Sequence, residues 1–281
     1  MIPDIPPLVN IVLLSLVASL GTGLGGLIAV IRRPGKRMYG LLMGITAGVM
    51  ICLSFLDLVN EAWQLAGPWT ATIGFAIGAT VMFILDHFAP HIRFSEREVR
   101  SEKPISPNIP TGQPYYGRRR FGHRRWEGQN LDMRLVNTGL LLVVGITLHN
   151  LPEGIAVGAG YLHNSQFGLF IALAIMLHNI PEGIATALPL CKGGVCRWDA
   201  FWMAFISGFA EPIGALIASL FLVTFQKLVP GALAFAGGVM VFITLDELIP
   251  TAREFGHEHY VAIGIILGSI FVFILSGILG V

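Results

Sequence analysis

LHNLPEGIAVG, residues 148–158, places a histidine, an asparagine, a proline and a glutamate inside a long apolar segment. The chain nearly repeats this stretch as LHNIPEGIATA, residues 177–187, inside the next apolar segment. An ionisable side chain at the centre of a bilayer costs about 3 kcal/mol or more, so it marks a functional site by default. The repeated motif therefore indicates a functional site within two apolar segments.

Composition places the chain in the membrane. Of 281 residues, 54% are hydrophobic and only 12% are charged, and the mean hydropathy is +0.72. A soluble domain carries about 25% charged residues. Apolar stretches recur that are long enough to cross a hydrocarbon core of about 30 Å. We predict eight spans, numbered one to eight along the chain, at about residues 8–31, 38–60, 68–88, 134–161, 166–189, 199–224, 229–252 and 260–281.

The spans are predicted to be helices. In lipid only helices and closed barrels satisfy every backbone polar group, and continuous apolar runs without period-two alternation favour helices. Small residues spaced four apart suit close helix packing. Such pairs occur at Gly44/Gly48, Gly74/Gly78, Gly154/Gly158 and Gly264/Gly268. The predicted fold class is an all-α polytopic membrane protein with eight transmembrane helices in one integral membrane domain.

Basic residues predict the orientation. Arg32, Arg33, Lys36 and Arg37 lie between spans one and two, and nine Lys and Arg lie in residues 89–133. By the positive-inside rule these loops are cytoplasmic and both termini are extracytoplasmic. The chain thus divides into residues 1–88 with spans one to three, a cytoplasmic and flexible loop at 89–133, and residues 134–281 with spans four to eight.

The acidic residues are placed differently from the basic ones. Glu153, Glu182 and Glu211 fall near the midpoints of spans four, five and six, whereas every Lys and Arg fits a loop or a span end. An ion pair with a buried base therefore does not explain the three carboxylates. They could instead stay protonated in an apolar environment. Three carboxylates with two histidines at one depth favour a bound cation.

Helical spacing brings the polar residues of each repeat together. His149 and Glu153 are four residues apart on one helix face, as are His178 and Glu182, and Asn150 and Asn179 lie beside the histidines. Spans four and five are antiparallel and joined by a very short loop, so their repeats should lie side by side. Imidazole with carboxylate suits zinc, iron(II) and similar metals. Two histidines, three glutamates and two asparagine carbonyls could hold two metals with bridging carboxylates.

Each repeat also contains a proline, Pro152 or Pro181. A proline frees the carbonyl four residues earlier, here that of Leu148 or Leu177, and opens the helix locally. Irregular backbone at this depth is tolerated where it lines a polar cavity. The prolines therefore predict open backbone next to the histidines.

Three kinds of function fit metal ligands inside a membrane: a divalent-metal transporter, a passive channel and an intramembrane metalloenzyme. A zinc protease would carry HExxH, which is absent. Di-iron bundles carry ExxH, with the carboxylate before the histidine, and here the order is reversed. We expect no enzyme. Ligand type does not separate a carrier from a channel.

These motifs resemble those of the ZIP family of divalent-metal transporters, in its bacterial GufA-like branch. HNLPEG at 149–154, HNIPEG at 178–183 and the glutamate of AEPIG at 210–214 carry the resemblance, together with the span count and the long loop after span three. The resemblance implies a ZIP-type bundle with a binuclear metal site between helices four, five and six. It also implies zinc uptake by an elevator-like movement of helices four and five, and a homodimer.

The resemblance implies roles for particular residues. His149, Glu153, His178 and Glu182 would form one metal position, and Asn150, Glu153, Asn179, Glu182 and Glu211 the other, with Glu153 and Glu182 bridging. Met50 would add a soft ligand, although a packing role fits it nearly as well. The long loop of relatives is often rich in histidine, whereas residues 89–133 contain only His91 and His123.

The remaining polar residues near span ends are candidates for the entry and exit path. Asp57 lies toward the outer end of span two, and Glu247 toward the inner end of span seven. The other candidates, all toward the cytoplasmic side, are Asp86, His91, His257 and His259. The expected substrate is Zn²⁺, with Fe²⁺, Mn²⁺ or Cd²⁺ as other candidates, in a multi-pass protein of the cell (inner or plasma) membrane. The lipid bilayer is the other partner, and no nucleic acid is expected.

Overall fold

A computed structural model describes residues 6–32, 34–88 and 133–279, and within these ranges all regular secondary structure is helical. The helices are α1 (Pro7–Arg32), α2 (Lys36–Cys52), α3 (Asn60–Phe88), α4 (Met133–His163), α5 (Ser165–Lys192), α6 (Arg197–Gly208), α7 (Ala210–Thr224), α8 (Val229–Ile243), α9 (Ile249–Phe255) and α10 (Glu258–Leu279). Two π-helical segments join neighbours, Leu53–Val59 between α2 and α3 and Thr244–Leu248 between α8 and α9. A 3₁₀ turn, Gln226–Leu228, precedes α8.

Within the described ranges, seven helical segments are long and apolar enough to cross a membrane. They are Pro7–Arg32, Lys36–Leu85, Leu135–His163, Ser165–Lys192, Arg197–Thr224, Gln226–Glu254 and Glu258–Leu279. Their ends agree with the predicted spans to within a few residues. The difference from the predicted eight lies in Lys36–Leu85, which covers predicted spans two and three together. The described part of the chain is therefore all-helical, and the molecule is a multi-pass membrane protein.

The Lys36–Leu85 segment is not one straight helix. It contains 50 residues, which would extend about 75 Å as a continuous α-helix. Gly67 interrupts it with φ 81° and ψ 173°, a backbone conformation that glycine adopts without a Cβ clash, and Pro68 follows. The rings of Phe55 and Phe75 stack with centroids 5.7 Å apart. Twenty residues of straight helix would separate them by about 30 Å, so the chain turns back on itself at Gly67.

Close helix contacts occur at the predicted glycine pairs. A Cβ on Gly48 would lie 2.1 Å from the carbonyl oxygen of Ile265, and one on Gly268 would lie 2.2 Å from that of Ile45, so α2 and α10 touch through backbone. Gly74 and Gly78 meet α8 in the same way, and Gly154 and Gly158 meet α7. All four predicted pairs are therefore confirmed as contact points.

A fifth contact of this kind, between α1 and α5, was not predicted from the sequence. A Cβ on Gly21 would lie 2.1 Å from the carbonyl oxygen of Met176, and one on Gly25 would lie 1.9 Å from that of Ile180. These glycines have the same four-residue spacing as the pairs that were predicted. The contact holds α1 directly against the helix that carries HNIPEG.

The turn between α4 and α5 places the two repeats at one depth. Asn164 alone separates the helices, and its side-chain oxygen accepts hydrogen bonds from the backbone N–H groups of Gln166 (2.7 Å) and Phe167 (3.3 Å). This N-cap starts α5 without a longer loop. His149 lies 15 residues before Asn164 and His178 lies 14 after it. Antiparallel helices of equal rise therefore bring both histidines to the same level.

Span six is broken next to its glutamate. α6 ends at Gly208 and α7 begins at Ala210, with the N–H of Phe209 bonded to the carbonyl of Ile206 at 3.0 Å. Pro212 has no N–H to donate to the carbonyl of Gly208, which favours a break here. By contrast, α4 and α5 continue through Pro152 and Pro181. The opening predicted beside the histidines therefore does not interrupt either helix, whereas the chain bends beside Glu211.

Candidate metal site

The two repeats meet in a buried cluster of two histidines and two glutamates. His149 Nε2 lies 2.9 Å from Glu153 Oε1 on the same helix and 3.1 Å from Glu182 Oε1 on α5. His178 Nε2 reaches across in the other direction to Glu153 Oε1, at 2.9 Å. All four side chains are buried. The contacts confirm that the HNxPEG repeats adjoin, and that each glutamate contacts the histidine of the other copy.

The donor atoms of this cluster already converge. One atom each from His149, Glu153 and Glu182 lies within 4.8 Å of the others, close enough for a single ion to contact all three. Imidazole nitrogen and carboxylate oxygen bind zinc at about 2.0–2.2 Å. Among the described residues, the ion-pair partners of Glu153 and Glu182 are histidines. A histidine is positively charged only when it is protonated, so with neutral imidazoles the negative charge of the carboxylates is left to balance a cation.

The asparagines and Glu211 lie in the same buried region. Asn179 Nδ2 donates to Glu211 Oε2 at 2.9 Å and to the carbonyl of Ala18 at 3.2 Å. Asn150 Nδ2 donates to the carbonyl of Ser207 at 3.0 Å. These bonds hold the amide nitrogens against α1, α6 and α7, and they leave both amide oxygens as free acceptors.

Five buried side-chain oxygens in this region have no hydrogen-bond partner. They are Asn150 Oδ1, Glu153 Oε2, Asn179 Oδ1, Glu182 Oε2 and Glu211 Oε1. Buried polar atoms in folded proteins are nearly always paired, because an unpaired one costs about 1–3 kcal/mol or more. Carboxylate and amide oxygens without a partner are available as ligands for a bound cation. The same five residues make up the second metal position that the family resemblance implies.

Met50 is fully buried in the bundle, close to this region. Its sulfur accepts a hydrogen bond from Thr244 Oγ1 at 3.5 Å. One helical turn earlier, Thr46 Oγ1 donates to the carbonyl of His178 at 3.1 Å, so this face of α2 packs against the HNIPEG repeat. The sulfur thus has a packing partner, and the role of Met50 as a ligand stays a prediction.

The path candidates are distributed over both ends of the bundle. Glu247 lines a cavity of about 40 Å³ together with His149 and Glu182, which connects it to the cluster. Asp57 lines a separate cavity of about 350 Å³ that contains none of the cluster residues. His257 and His259 are exposed near the start of α10, with ring centroids 5.8 Å apart. Asp86 is in α3 with a side chain outside the described set, and His91 lies outside the described residues.

Two groups of supporting residues were not found by sequence analysis. The first are polar contacts made through backbone carbonyls, such as those of Ala18 and Ser207, which no side-chain pattern reveals. The second is Gly183, which ends the second HNxPEG motif and, unlike Gly154, was not among the predicted glycine pairs. A Cβ on Gly183 would lie 2.0 Å from the carbonyl oxygen of Thr22. Its position directly after Glu182 was the available signal.

Comparison with known proteins identifies the relatives of this chain. A family model described as "ZIP Zinc transporter" matches residues 70–278. The zinc transporter ZupT of Akkermansia muciniphila is 38% identical over 271 residues, covering 92% of this chain and 93% of the relative. ZupT of Clostridium perfringens is 35% identical, covering 92% of each chain. The zinc transporter ZTP29 of Arabidopsis thaliana is 36% identical, covering 87% of this chain and 85% of the relative. These names confirm the prediction that the chain is not an enzyme.

Proposed function

Because the chain belongs to the ZIP zinc transporter family, we propose that it transports divalent metal ions across the cell membrane, with Zn²⁺ as substrate and the cytoplasm as destination. The single observation that carries the proposal is the buried cluster of His149, Glu153, His178 and Glu182 with unpaired carboxylate oxygens. Fe²⁺, Mn²⁺ and Cd²⁺ are further candidate substrates, because the same ligand types accept them. The uptake direction rests on the family resemblance.

We propose that the site holds two ions. The first position consists of His149, Glu153, His178 and Glu182, which are joined by three nitrogen–oxygen contacts of 2.9–3.1 Å. The second consists of the five unpaired oxygens of Asn150, Glu153, Asn179, Glu182 and Glu211, which form an all-oxygen set. Glu153 and Glu182 contribute one oxygen to each position and so act as bridges. Met50 is the additional soft ligand.

We propose eight membrane crossings, with the Lys36–Leu85 segment crossing twice. The reversal at Gly67 supports this reading, because the stacked rings of Phe55 and Phe75 require two antiparallel helices. An even number of crossings leaves both termini on one side, and the positive-inside rule makes that side extracytoplasmic. The ZIP-type bundle then has its metal site between the fourth, fifth and sixth crossings, which are α4, α5 and the α6–α7 pair.

We propose transport by alternating access rather than through a continuous pore. The cavity at Asp57 and the cavity at Glu247 share no lining residue, and the fully buried Met50 and His178 lie in the bundle between them. Of these two cavities only the one at Glu247 is lined by cluster residues, which supports access to the cluster from one side at a time. Asp57 would receive the ion, Glu247 would release it, and Asp86, His91, His257 and His259 would extend the exit path. The elevator-like movement of α4 and α5, and assembly as a homodimer, follow from the family resemblance.

The test is zinc uptake by purified protein in liposomes. His178→Ala and Glu182→Ala each remove a donor from the cluster, and we expect uptake to fall by roughly 100-fold or more, since even indirect partners of metal ligands contribute about 10–100-fold. Gly277→Ala is the control, because a Cβ there meets no atom within 4 Å. Unchanged uptake in both cluster variants would refute the site assignment. Competition by Fe²⁺, Mn²⁺ and Cd²⁺ in the same assay ranks the substrates.

A further inference from the structure

A second group of metal-binding side chains lies at the opposite end of the bundle from Glu247. α2 and α8 are antiparallel, because Met50 contacts Thr244 whereas the later residue Val59 lies beside the earlier residue Gly237. Asp57 and Glu247 therefore fall on opposite sides of the Met50–Thr244 contact. At the Asp57 end is the cavity of about 350 Å³, which also contains Glu61 and His163.

This cavity is large enough for a hydrated ion. At roughly 30 Å³ per water molecule it has room for about ten. The wall is built from three parts of the chain: the π-helical segment with the first turn of α3, the α4–α5 corner, and the C-terminal half of α10. Its volume is also far larger than that of the cavity at Glu247. An incoming ion can therefore enter it without first losing its water.

Three of the polar side chains that line the cavity are of types that bind zinc. His163 Nε2 lies 2.6 Å from Glu61 Oε1, and both side chains are only partly buried. Asp57 is four residues before Glu61, and its Oδ2 atom is buried without a hydrogen-bond partner. Imidazole nitrogen and carboxylate oxygen are both zinc ligands. Two ligand atoms of one tetrahedral zinc lie about 3.3 Å apart, so His163 and Glu61 need to separate only slightly to admit the ion.

We propose that Asp57, Glu61 and His163 form an outer capture site that binds Zn²⁺ before the ion enters the buried cluster. The site rests on the proposed transport function for its purpose and deepens the entry role of Asp57. In the part of the chain that the structure describes, only the His149–Glu153–Glu182 group has three donor atoms already within 4.8 Å. The outer ligands therefore close around the ion when it arrives. An incompletely assembled site binds more weakly than an assembled one, which suits capture followed by release inward.

The position of His163 links the outer site to the buried one. His163 is the last residue of α4, one residue before Asn164 and the start of α5, whereas Glu61 is on α3. An ion shared by Glu61 and His163 therefore bridges α3 and the corner of the two helices that carry the HNxPEG repeats. The ligands of the outer site thus come from α3 with the segment before it and from the α4–α5 corner, and not from one helix.

The first experiment measures zinc binding at this site without requiring transport. Cys196, the exposed native cysteine, is replaced by serine, and His163→Cys is introduced into the full-length protein in nanodiscs. We expect micromolar Zn²⁺ to slow labelling of the new thiol by a membrane-impermeant maleimide about tenfold, because a zinc-bound thiolate is not free to react. Adding Glu61→Gln should abolish the protection. Adding Glu258→Gln, an exposed carboxylate in the first turn of α10, should leave it intact.

The second experiment separates capture from transport. In liposomes, Glu61→Gln and His163→Gln should raise the KM for Zn²⁺ uptake by about tenfold with little change in kcat, since they weaken binding before the slow step. Protection of the thiol that persists after Glu61→Gln, or an unchanged KM in both variants, overturns the outer site. Zinc protection in a protein that moves no zinc refutes the proposed transport function and leaves the outer site standing.

Discussion

The glycine after Glu153 gives the sharpest test of how the buried site is held. A Cβ at position 154 would lie 2.0 Å from the carbonyl oxygen of Glu211 and 2.6 Å from the backbone nitrogen of Ala215. An ordinary carbon–oxygen contact is about 3.4 Å. Gly154→Ala must therefore push α7 away from α4 by roughly 1.4 Å at this point. The atoms it meets belong to the backbone, so no side-chain rotation can relieve the clash.

The displacement has a calculable effect on the site. Asn179 Nδ2 lies 2.9 Å from Glu211 Oε2, and a shift of Glu211 by about 1 Å along this line would lengthen the contact beyond hydrogen-bond range. Overpacking of this kind destabilises a protein by about 1–3 kcal/mol. Misplacement of a functional group by about 1 Å can lower a rate by about 100-fold. We therefore expect Gly154→Ala to remain folded, to be less thermostable, and to transport zinc at least about tenfold more slowly.

The assay is initial-rate zinc uptake in proteoliposomes, with thermal unfolding of the same preparation in detergent. Gly277→Ala is the matched control, because it makes the same chemical change on α10 with no atom within 4 Å of the new Cβ. A monodisperse Gly154→Ala protein with the uptake rate of Gly277→Ala would refute the reasoning. It would mean that the position of Glu211 does not depend on the close contact between α4 and α7.

Three further predictions concern the site itself. Asn179→Ala removes the donor to Glu211 and to the carbonyl of Ala18, and should lower zinc uptake by about tenfold at saturating zinc; a wild-type rate would count against Glu211 as a positioned ligand. Met50→Leu conserves volume but removes the sulfur, so the ratio of Cd²⁺ to Zn²⁺ uptake should fall several-fold, and an unchanged ratio would assign Met50 to packing. Zinc affinity should weaken as the pH falls, because imidazole must be deprotonated to bind metal; equilibrium binding in detergent measures this, and a flat profile would argue against imidazole ligands.

Much of the buried cluster could be predicted because its geometry is local. His149 and Glu153 are one helical turn apart, and so are His178 and Glu182, so helical periodicity alone places each pair on one face. The short turn at Asn164 then makes the two helices antiparallel neighbours at equal depth. Glycine spacing similarly identified the positions on α2 and α3 at which the backbone makes a tight contact, although not the helix that it meets. In each case a pattern within a few residues determines which positions are suited to contact.

Other features depended on contacts between distant parts of the chain. The bonds from Asn150 to the carbonyl of Ser207 and from Asn179 to that of Ala18 leave the amide oxygens unpaired toward the site. A backbone carbonyl has the same chemistry at every position, so residue type does not predict which carbonyl will accept a hydrogen bond from an asparagine. The pairing of Glu61 with His163 is equally non-local, since 102 positions separate residues that the fold brings to 2.6 Å.

The sequence by itself determined that the chain is apolar enough to lie in a lipid bilayer, which side chains interrupt the apolar helices, and that these side chains are of the types that bind metal ions. Those properties follow from composition and from a period of 3.6 residues, which act over one or two helical turns. The tertiary structure decided which helices meet, which oxygens stay unpaired, and how the Asp57 and Glu247 cavities are kept apart. Those properties arise from backbone-to-backbone packing at glycines such as Gly25, Gly154 and Gly183. The absence of a side chain at these glycines permits the contact but does not determine which helix makes it.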